Sequence, residues 1–203
     1  VKSQEAYWVA QFEGGVPDLS LPYDFPRPPV RHFEGRVNTF EIGADMTTRL
    51  KQMAVKRNAS LYMVLLTIYF VLLYKLTGQE DIVVGTSVAG RRHNDLNKVT
   101  GLFFHTLALR NYPSGDLPFE AFLETVKQRF FDAYENQDYP FDQLVELLMK
   151  KNIIRKEAGR HALFDTMFSW QNFNIPQLDT RTIRLKPFPF EQRTAKFDLF
   201  PMA

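Results

Sequence analysis

Two stretches decide the fold of this chain: Asp81-Ile82-Val83-Val84-Gly85-Thr86-Ser87-Val88-Ala89-Gly90-Arg91 and, ten residues later, Gly101-Leu102-Phe103-Phe104-His105-Thr106-Leu107-Ala108-Leu109-Arg110. Both are rich in β-branched and aromatic residues and too short for helices, so each predicts a β-strand. Residues 91–98 between them are polar and cationic. Two buried strands that hold a charged loop are typical of the wall of a functional site. A central strand pair with an ordinary solvated connection fits these features equally well.

The composition limits the possible classes of protein. The 203 residues fit one large domain, two small ones or a piece of something larger, and the start at Val1 rather than Met favours an excised segment. Apolar residues make up 45% of the chain, with 19 Phe and 8 Tyr, which is enough for a sizeable core. The net charge of +2 gives no general attraction to nucleic acid or to an anionic membrane, so neither is expected as a partner.

The sequence contains no cysteine, which excludes disulfides, thiolate catalysis and cysteine-based metal sites. This composition suits a reducing compartment, and no secretion signal is recognisable, so we expect a cytoplasmic protein. The longest apolar run, residues 61–74, is shorter than the ~20 residues that cross a bilayer and is interpreted as a buried helix.

The first half of the chain predicts helices around a proline-rich connector. Ser3 is a candidate cap for a helix that a Gly-Gly pair ends after residue 13. Five prolines make residues 17–33 an extended strap along the surface. Residues 35–42 alternate as a strand does, and Asp45 is a candidate cap for a helix to residue 56.

The next helix is predicted to form the centre of the core. Ser60 is its candidate cap and Gly78 its end, and it is apolar on nearly all sides, so most of its surface should be covered. Later, Pro118 suits the first position of a helix to residue 135, and residues 141–151 predict an amphipathic helix. Three further strands are predicted over residues 163–170, 182–185 and 196–199, which gives a mixed α/β pattern.

Candidate metal ligands and nucleophiles are few. The histidines at positions 32, 93, 105 and 161 are never spaced by three or four residues, so no metal site is expected. His105 shares its predicted strand face with apolar residues, which favours a core histidine and leaves a hydrogen-bonding role toward a site as the alternative. The sequence of residues 85–89 partly matches the nucleophile-elbow motif of serine hydrolases. It lacks the closing glycine of that motif, and a polar loop follows instead of the expected helix.

The remaining charged candidates admit ordinary explanations. Asp138 and Asp142 lie at a helix junction, where acidic caps are common, so capping is the favoured role. Arg91 and Arg92 could meet a phosphate or a carboxylate, or face water.

Several segments in a fixed order carry a family resemblance. They are Leu21-Pro22-Tyr23-Asp24-Phe25-Pro26-Arg27-Pro28-Pro29-Val30, residues 82–91, residues 101–110, Asn136-Gln137-Asp138-Tyr139-Pro140-Phe141-Asp142-Gln143-Leu144-Val145, Leu163-Phe164-Asp165-Thr166-Met167-Phe168 with Gln171-Asn172, and Ala195-Lys196-Phe197-Asp198-Leu199. In order and spacing, over nearly the whole chain, they resemble the condensation domains of nonribosomal peptide synthetases. A single such segment would be a weak signal, whereas the ordered set is a strong one.

The resemblance implies a chloramphenicol-acetyltransferase-like fold of two lobes, an α/β (α+β sandwich) architecture in which helices pack on a mixed β-sheet. Residues 1–203 resemble most of the C-terminal lobe and are expected to be incomplete at both ends. In this family, the second histidine of a His-His-x-x-x-Asp-Gly motif assists attack of an acceptor aminoacyl amine on a donor thioester. That motif is absent from the sequence, so the chain alone is expected to be inactive.

The resemblance also assigns a site wall. Gly85 and Thr86 are expected to line the tunnel in which two phosphopantetheine arms meet, and no cofactor is expected to bind directly. Gln171 and Asn172 are expected to approach the reaction centre from the facing lobe, and residues 92–98 to form part of the tunnel floor.

Three positions carry further expectations from the resemblance. Arg91 is expected to pair with the aspartate of the absent motif across the lobe interface, and to be exposed without it. Ser87 stands where the family usually has proline. His105, a further wall residue, stands where the family usually has asparagine, which leaves its polar role dependent on a single hydrogen bond.

The expected partners are the N-terminal lobe, the upstream and downstream carrier domains, and an adenylation domain of the same synthetase. An isolated lobe exposes the apolar face that normally meets its other half, so self-association is also expected. Two alternatives remain open. One is an epimerisation or heterocyclisation relative, and the other is a non-catalytic module that only binds or docks carrier proteins.

Overall fold

The structure is a computed structural model that describes residues 2–91, 94–155, 157–171 and 192–203. Its elements are α1 (Lys2–Phe12), α2 (Ala44–Lys56), α3 (Leu61–Thr77), β1 (Ile82–Val88), a 3₁₀ helix (Asn94–Lys98), β2 (His105–Asn111), α4 (Phe119–Glu135), α5 (Phe141–Lys150) and β3 (Met167–Phe168). Helices and a mixed sheet together confirm the predicted α/β class.

The sheet confirms the predicted central strand pair. Its order is β2-β1-β3, with β1 antiparallel to β2 and parallel to β3. Gly85 lies opposite Ala108 on one side and Met167 on the other. Residues 199–203 continue the sheet beyond β3 through parallel bridges from Thr166 to Leu199 and from Ser169 to Met202.

Helix α3 packs on this sheet, and its two ends follow the predicted capping. The Ser60 side chain accepts a hydrogen bond from the Met63 amide (3.2 Å), and Gly78 ends the helix in the left-handed conformation at φ 70°. A glycine suits that position because it has no Cβ to clash. Phe70 and Leu73 are fully buried, and each such side chain contributes about 1.5–3 kcal/mol.

One face of α3 corrects the expectation that the helix is covered on nearly all sides. Ile68, Leu72 and Leu76 are 38%, 47% and 44% exposed, and they recur every four residues. Side chains at that spacing lie on one face of a helix. An apolar stripe therefore faces outward along the second half of α3.

Helix α1 docks on the junction between α4 and α5. The Trp8 indole donates to the Asn136 carbonyl (2.9 Å), and the Tyr139 hydroxyl donates to the Glu5 carboxylate (3.2 Å). Asp138 accepts a hydrogen bond from Gln4 (3.3 Å). Asp138 therefore bonds to α1, which corrects the interpretation of this carboxylate as a helix cap.

Arg110, on β2, fastens the end of α1 to the sheet. Its Nη1 donates to the carbonyl oxygens of Gln11 and Gly15, both at 2.8 Å, while Nε and Nη2 bond the Asp81 carboxylate at 2.8 and 2.6 Å. The guanidinium thus satisfies carbonyls that a helix end leaves without partners.

The predicted helices are present, although three of their starting residues differ. Ser3 lies inside α1, Gly43 rather than Asp45 precedes α2, and Pro118 is the cap of α4 rather than its first residue. Asp45 instead lies in the first turn of α2, where it pairs with Arg49 (2.9 Å). A carboxylate there still interacts favourably with the helix dipole.

The other predicted strands are absent or shorter than expected in the described residues. Residues 35–42 form no strand, and only an isolated bridge from Glu34 to Thr194 precedes them. Phe40 within this segment is 82% exposed. The strand predicted over residues 163–170 is reduced to β3 and the bridges that flank it, and the strand over 196–199 to the bridge at Leu199. Residues 182–185 lie outside the described residues.

Among the described helices, none is by itself both long and apolar enough to cross a membrane. Helices α2 and α3 reach that length and composition only as a pair, and they are bent by 106° at the break between them.

Candidate functional site

The described wall residues lie on β1, on β2 and shortly after β3. Gly85 and Thr86 are in the middle of β1, and His105 begins β2 opposite Val88. Thr86 lies opposite Phe168 on β3, so the same register, continued by three residues, places Gln171 level with the end of β1. His105 and Gln171 therefore lie at the same end of the sheet, which we call the polar end.

Gly85 is buried beneath an aromatic ring. A Cβ at this position would lie 2.2 Å from Cε2 of Phe164, far inside van der Waals contact. The Gly85 amide also donates to the Thr166 carbonyl (3.0 Å). Glycine is required here because the Phe164 ring lies directly on the strand. Phe164 covers Gly85 on this side, and the expected place of Gly85 on a tunnel wall stays a prediction.

The Thr86 side chain lies inside the core, where it joins β1 to both α3 and β3. Its hydroxyl donates to the Phe168 carbonyl (2.9 Å), so the hydroxyl of Tyr62 must be the donor in their shared 2.7 Å hydrogen bond. Burial raises the pKa of Tyr62, and the hydrogen bond with Thr86 only partly opposes this, so the phenol stays protonated. Thr86 is 0% exposed, and its expected place on a tunnel wall stays a prediction.

A second relay of the same kind lies one strand further on. The Thr166 hydroxyl donates to the Leu199 carbonyl (2.9 Å) and accepts a hydrogen bond from the Tyr69 hydroxyl. Burial raises the pKa of Tyr69 as well. Two tyrosines of α3, the partly buried Tyr62 and the buried Tyr69, thus hold the strands in place through threonine hydroxyls.

Gly90 and His105 make a close contact at the polar end. Gly90 has φ 63°, and a Cβ there would lie 2.0 Å from the Phe103 carbonyl oxygen and 2.4 Å from Cδ2 of His105. Both the backbone conformation and the space require glycine. The His105 ring is half-buried at the strand end rather than enclosed in the core, which leaves it accessible for a hydrogen bond from the polar end.

Arg91 folds back on its own loop. Its Nη1 donates to the carbonyl oxygens of Leu96 and Val99, the latter at 3.0 Å, and its guanidinium lies 4.3 Å from the ring centroid of Phe103. The side chain is half-buried, so the expectation of an exposed Arg91 is wrong. The loop itself supplies the acceptors and the aromatic face that a guanidinium prefers. Residues 92 and 93 lie outside the described residues.

Gln171 is exposed and lies beside the last residues of the chain. Its amide donates to the Ala203 carbonyl (2.8 Å), and its Nε2 lies 3.5 Å from the Met202 sulfur. Among the described residues, the contact of this side chain is the weak one with the Met202 sulfur, which leaves its amide available to a ligand. Asn172, predicted to act beside it, lies outside the described residues.

A charged network at the opposite end of β3 was missed by sequence reasoning. The strap residue Arg27 binds the Asp198 carboxylate and lies 3.6 Å from that of Asp165. Arg160 bonds Asp165 at 2.5 Å, and the Tyr23 hydroxyl bonds Asp198 at 2.7 Å. Burial and the hydrogen bond to Asp198 raise the pKa of Tyr23 to about 12. All of these residues except Arg160 stand in the segments that carry the family resemblance, but no local pattern indicates that they meet.

A cavity of about 280 Å³ opens beside this network, between the start of the strap and the loop before β3. It is lined by both signs of charge, including Asp18, Glu157 and Arg160, and by apolar side chains such as Leu19. His161 also lines it and stacks on Phe197, 4.5 Å between ring centroids. Burial lowers the pKa of His161 more than its hydrogen bond to the Lys196 carbonyl (2.7 Å) raises it. The mixed charge selects no ligand class.

Within the described ranges, no three His, Cys, Asp or Glu side chains are grouped so that they could hold a metal ion. Ser87 lies within β1, and the next described element is a 3₁₀ helix rather than the α-helix of a nucleophile elbow. The geometry thus offers a wall of backbone and polar side chains at one end of a sheet.

Comparisons with known proteins give consistent results. The family model described as Condensation domain matches residues 1–202. Bacitracin synthase 3 of Bacillus licheniformis is 48% identical over 199 residues, which are 98% of this chain and 3% of that protein. The crystal structure of a four-domain nonribosomal peptide synthetase bound to AMP and glycine matches 98% of this chain and 16% of its own, with a TM-score of 0.86 and 20% identity.

A complex of the X-domain and OxyB from teicoplanin biosynthesis gives a TM-score of 0.81 at 22% identity, over 98% of this chain and 42% of that chain. At these identities the two structural similarities concern the fold. The chain spans only a small share of the curated relative and less than half of either solved chain.

Proposed function

The chain belongs to the condensation domain family of nonribosomal peptide synthetases, and from that premise we propose that it forms the C-terminal lobe of a peptide-bond-forming condensation domain. In the proposed reaction, an acceptor aminoacyl amine attacks a donor acyl thioester, and each substrate is held on the phosphopantetheine arm of a carrier domain. The observation that carries the proposal is the family match over residues 1–202, which includes every strand of the sheet.

The polar end of the sheet is the part of the chain that would face the arms. His105 and Gln171 lie there with partly or fully exposed side chains, whereas Gly85 and Thr86 form the rigid layer behind them. A wall held by buried hydrogen bonds keeps its polar groups in fixed positions, which favours orientation of bound substrates. In this proposal, Gly85 and Thr86 act as support.

Arg91 would change partners when the lobes meet. The carbonyl oxygens of Leu96 and Val99 now accept its hydrogen bonds, and both belong to the loop that follows it. A carboxylate from the other lobe is a stronger acceptor for a guanidinium than a carbonyl. We therefore expect Arg91 to exchange at least one of these bonds for the aspartate of the motif that this sequence lacks.

The proposed partners are the N-terminal lobe, the carrier domains on both sides and the adenylation domain of the same synthetase, in the cytoplasm. The carriers bring their own phosphopantetheine arms, so the chain itself needs no bound cofactor. Without a His-His-x-x-x-Asp-Gly motif, the 203 residues should not form peptide bonds alone.

The test is peptide-bond formation between two loaded carrier proteins. The chain alone is compared with the chain joined to the upstream residues of its parent protein, and with the joined protein after substitution of the second motif histidine by alanine. We expect product from the joined protein but not from the chain alone. The histidine variant of the joined protein should also give no product. Absence of product from the joined protein, with carriers shown to be loaded, would reject the proposal.

A second candidate function is a docking module. It is favoured by the solved complex of an X-domain with OxyB, whose chain has the same fold as this one. In that case the joined protein would bind a partner protein stably but would not consume the donor thioester. Measuring both binding and thioester loss in the same experiment separates the two functions.

A further inference from the structure

Two carboxylates lie side by side at the start of a pair of parallel segments. Asp165 comes directly before Thr166, and Asp198 directly before Leu199, and these two following residues form a parallel bridge. The Asp198 amide donates to the Asp165 carbonyl (2.9 Å), so the backbones are in direct contact. The side chains of Asp165 and Asp198 are only 6% and 24% exposed. Like charges so close together and so little solvated need cations beside them.

Arg27 of the strap supplies the cation that both carboxylates share. Its Nη2 binds Asp198 and lies 3.6 Å from Asp165, while its Nη1 donates to the Gly159 carbonyl (3.0 Å). Arg160 bonds the same Asp165 oxygen that faces Arg27, so Asp165 has a cation on each of two neighbouring elements. Burial lowers the pKa of Arg27, but the hydrogen bond to Asp198 and the charge of Asp165 together raise it, so the guanidinium stays charged.

One hydrogen bond is missing from the backbone ladder that follows these carboxylates. The amides of Met167, Ser169 and Gln171 donate to the carbonyl oxygens of Leu199, Pro201 and Ala203 at 2.8–3.1 Å. In the other direction, Ala203 donates to Ser169 (3.1 Å), but Pro201 has no amide hydrogen. The middle of the ladder therefore lacks the return hydrogen bond that a regular parallel pair would have.

Side-chain burial does little to fix the register of this ladder. Leu199, Phe200 and Met202 on the outer segment are 36%, 38% and 48% exposed. A strand slips more easily when neither of its faces is strongly buried, and a slip by one residue turns every side chain to the opposite face. The Thr166 hydroxyl holds Leu199 at one point, but packing adds little to the register of residues 199–203 with β3.

We propose that Arg27 is a positioning residue: by joining Asp165 to Asp198, it fixes the register of the ladder and thereby the location of Gln171 at the polar end. Asp165 and Asp198 are the first residues of the two segments. Their connection through Arg27, which we call the clamp, aligns the segments before the incomplete ladder begins. Gln171 closes the same ladder at its other end, so any slip at Asp198 displaces the contacts of Gln171. The link from Gln171 to activity rests on the proposed function.

The experiment uses the joined protein described above and three variants. Arg27→Met removes the charge while it keeps much of the side-chain volume, and Arg27→Lys keeps the charge but cannot reach both carboxylates in the same way. Arg36→Met is the matched control, because the exposed Arg36 lies on the same connecting segment. Amide hydrogen exchange is measured on peptides that cover residues 166–171, 199–203 and 82–88.

The expected result is local. Arg27→Met should exchange about tenfold faster over residues 166–171 and 199–203, with β1 unchanged, because a partly buried hydrogen-bonded pair is lost there. Arg27→Lys should lie between this variant and the unmodified protein, and Arg36→Met should match the latter. Unchanged exchange in the ladder of Arg27→Met, or an equal increase over β1, would overturn the proposal. If Arg27→Met does not fold, the test rests on Arg27→Lys. Amide exchange in the ladder of Arg27→Lys that is identical to that of the unmodified protein would then overturn the proposal.

Kinetics then connect the clamp to the reaction. In Arg27→Met, kcat for peptide-bond formation should fall about tenfold, since small displacements of orienting groups reduce rates strongly, while KM for both carriers stays unchanged. Faster exchange with an unchanged kcat would reject the positioning role of Arg27. An inactive unmodified protein would reject the proposed function instead, and the exchange data would still decide whether the clamp exists.

Discussion

Substitution of Thr86→Val should destabilise the fold by about 2–4 kcal/mol. The hydroxyl of Thr86 is fully buried and makes two hydrogen bonds, from the Tyr62 hydroxyl at 2.7 Å and to the Phe168 carbonyl at 2.9 Å. Valine has the same shape, so no cavity arises, but the Tyr62 hydroxyl loses its acceptor and the Phe168 carbonyl loses one of its donors, at about 1–2 kcal/mol each. Tyr62→Phe removes a single bond and leaves no donor unpaired, so it should cost only about 1 kcal/mol.

The assay is urea unfolding followed by the fluorescence of the two tryptophans, at low protein concentration. The double variant Tyr62→Phe, Thr86→Val should be about 1 kcal/mol more stable than the sum of the single effects predicts, because it no longer contains an unpaired phenol. Thr125→Val is the control, since this threonine is exposed on α4. Strict additivity, or a Thr86→Val effect below about 0.5 kcal/mol, would refute the relay through the Thr86 hydroxyl.

Three further predictions concern packing, pH and association. Gly85→Ala should destabilise the fold by about 1–3 kcal/mol, because its Cβ would overlap the Phe164 ring, whereas Gly14→Ala meets nothing within 4 Å and should change little by thermal unfolding. Because the pKa of His161 is lowered in the fold, the unfolded chain binds its proton first, so stability should be full above about pH 6.5 and fall below it. Urea midpoints at pH 7.5 and 5.5 test this, and His161→Gln should flatten the difference. The chain alone should self-associate through exposed apolar surface, and Leu72→Lys on the open face of α3 should weaken this in light scattering. A monomer at all concentrations would contradict it.

Local signals predicted the parts of the fold that they determine. The two strands beside residues 91–98 are short apolar runs with turn residues at their ends, and they pair as expected. Ser60 and Gly78 bound α3 because capping depends on residues within one turn of the helix. The buried stripe of α4 follows from helical spacing alone.

The remaining parts of the fold depend on contacts between residues that are distant in the sequence. Residues 35–42 alternate between apolar and polar side chains as a strand does. Such a pattern does not indicate whether a neighbouring strand is available for pairing, and in the structure the segment remains exposed. The same limit applies to the candidate site. A pattern indicates that Thr86 lies on a strand, but not which face is covered, and it cannot reveal that Arg91 bonds its own loop. Arg27 and Asp198 are separated by 171 residues, so their contact has no signature in local sequence.

The parallel pairing of β1 with β3 has a consequence for synthesis of the chain. Gly85 and its partner Met167 are separated by about 80 residues. At a translation rate of about 5–20 residues per second, roughly 4–16 s pass between the appearance of β1 and that of β3. During this interval β1 can pair with β2 and pack beneath α3, while its other edge keeps unsatisfied backbone groups. An unpaired edge of this kind is a template for a strand from a neighbouring nascent chain, so the time on the ribosome is when this sheet is most exposed to misassembly.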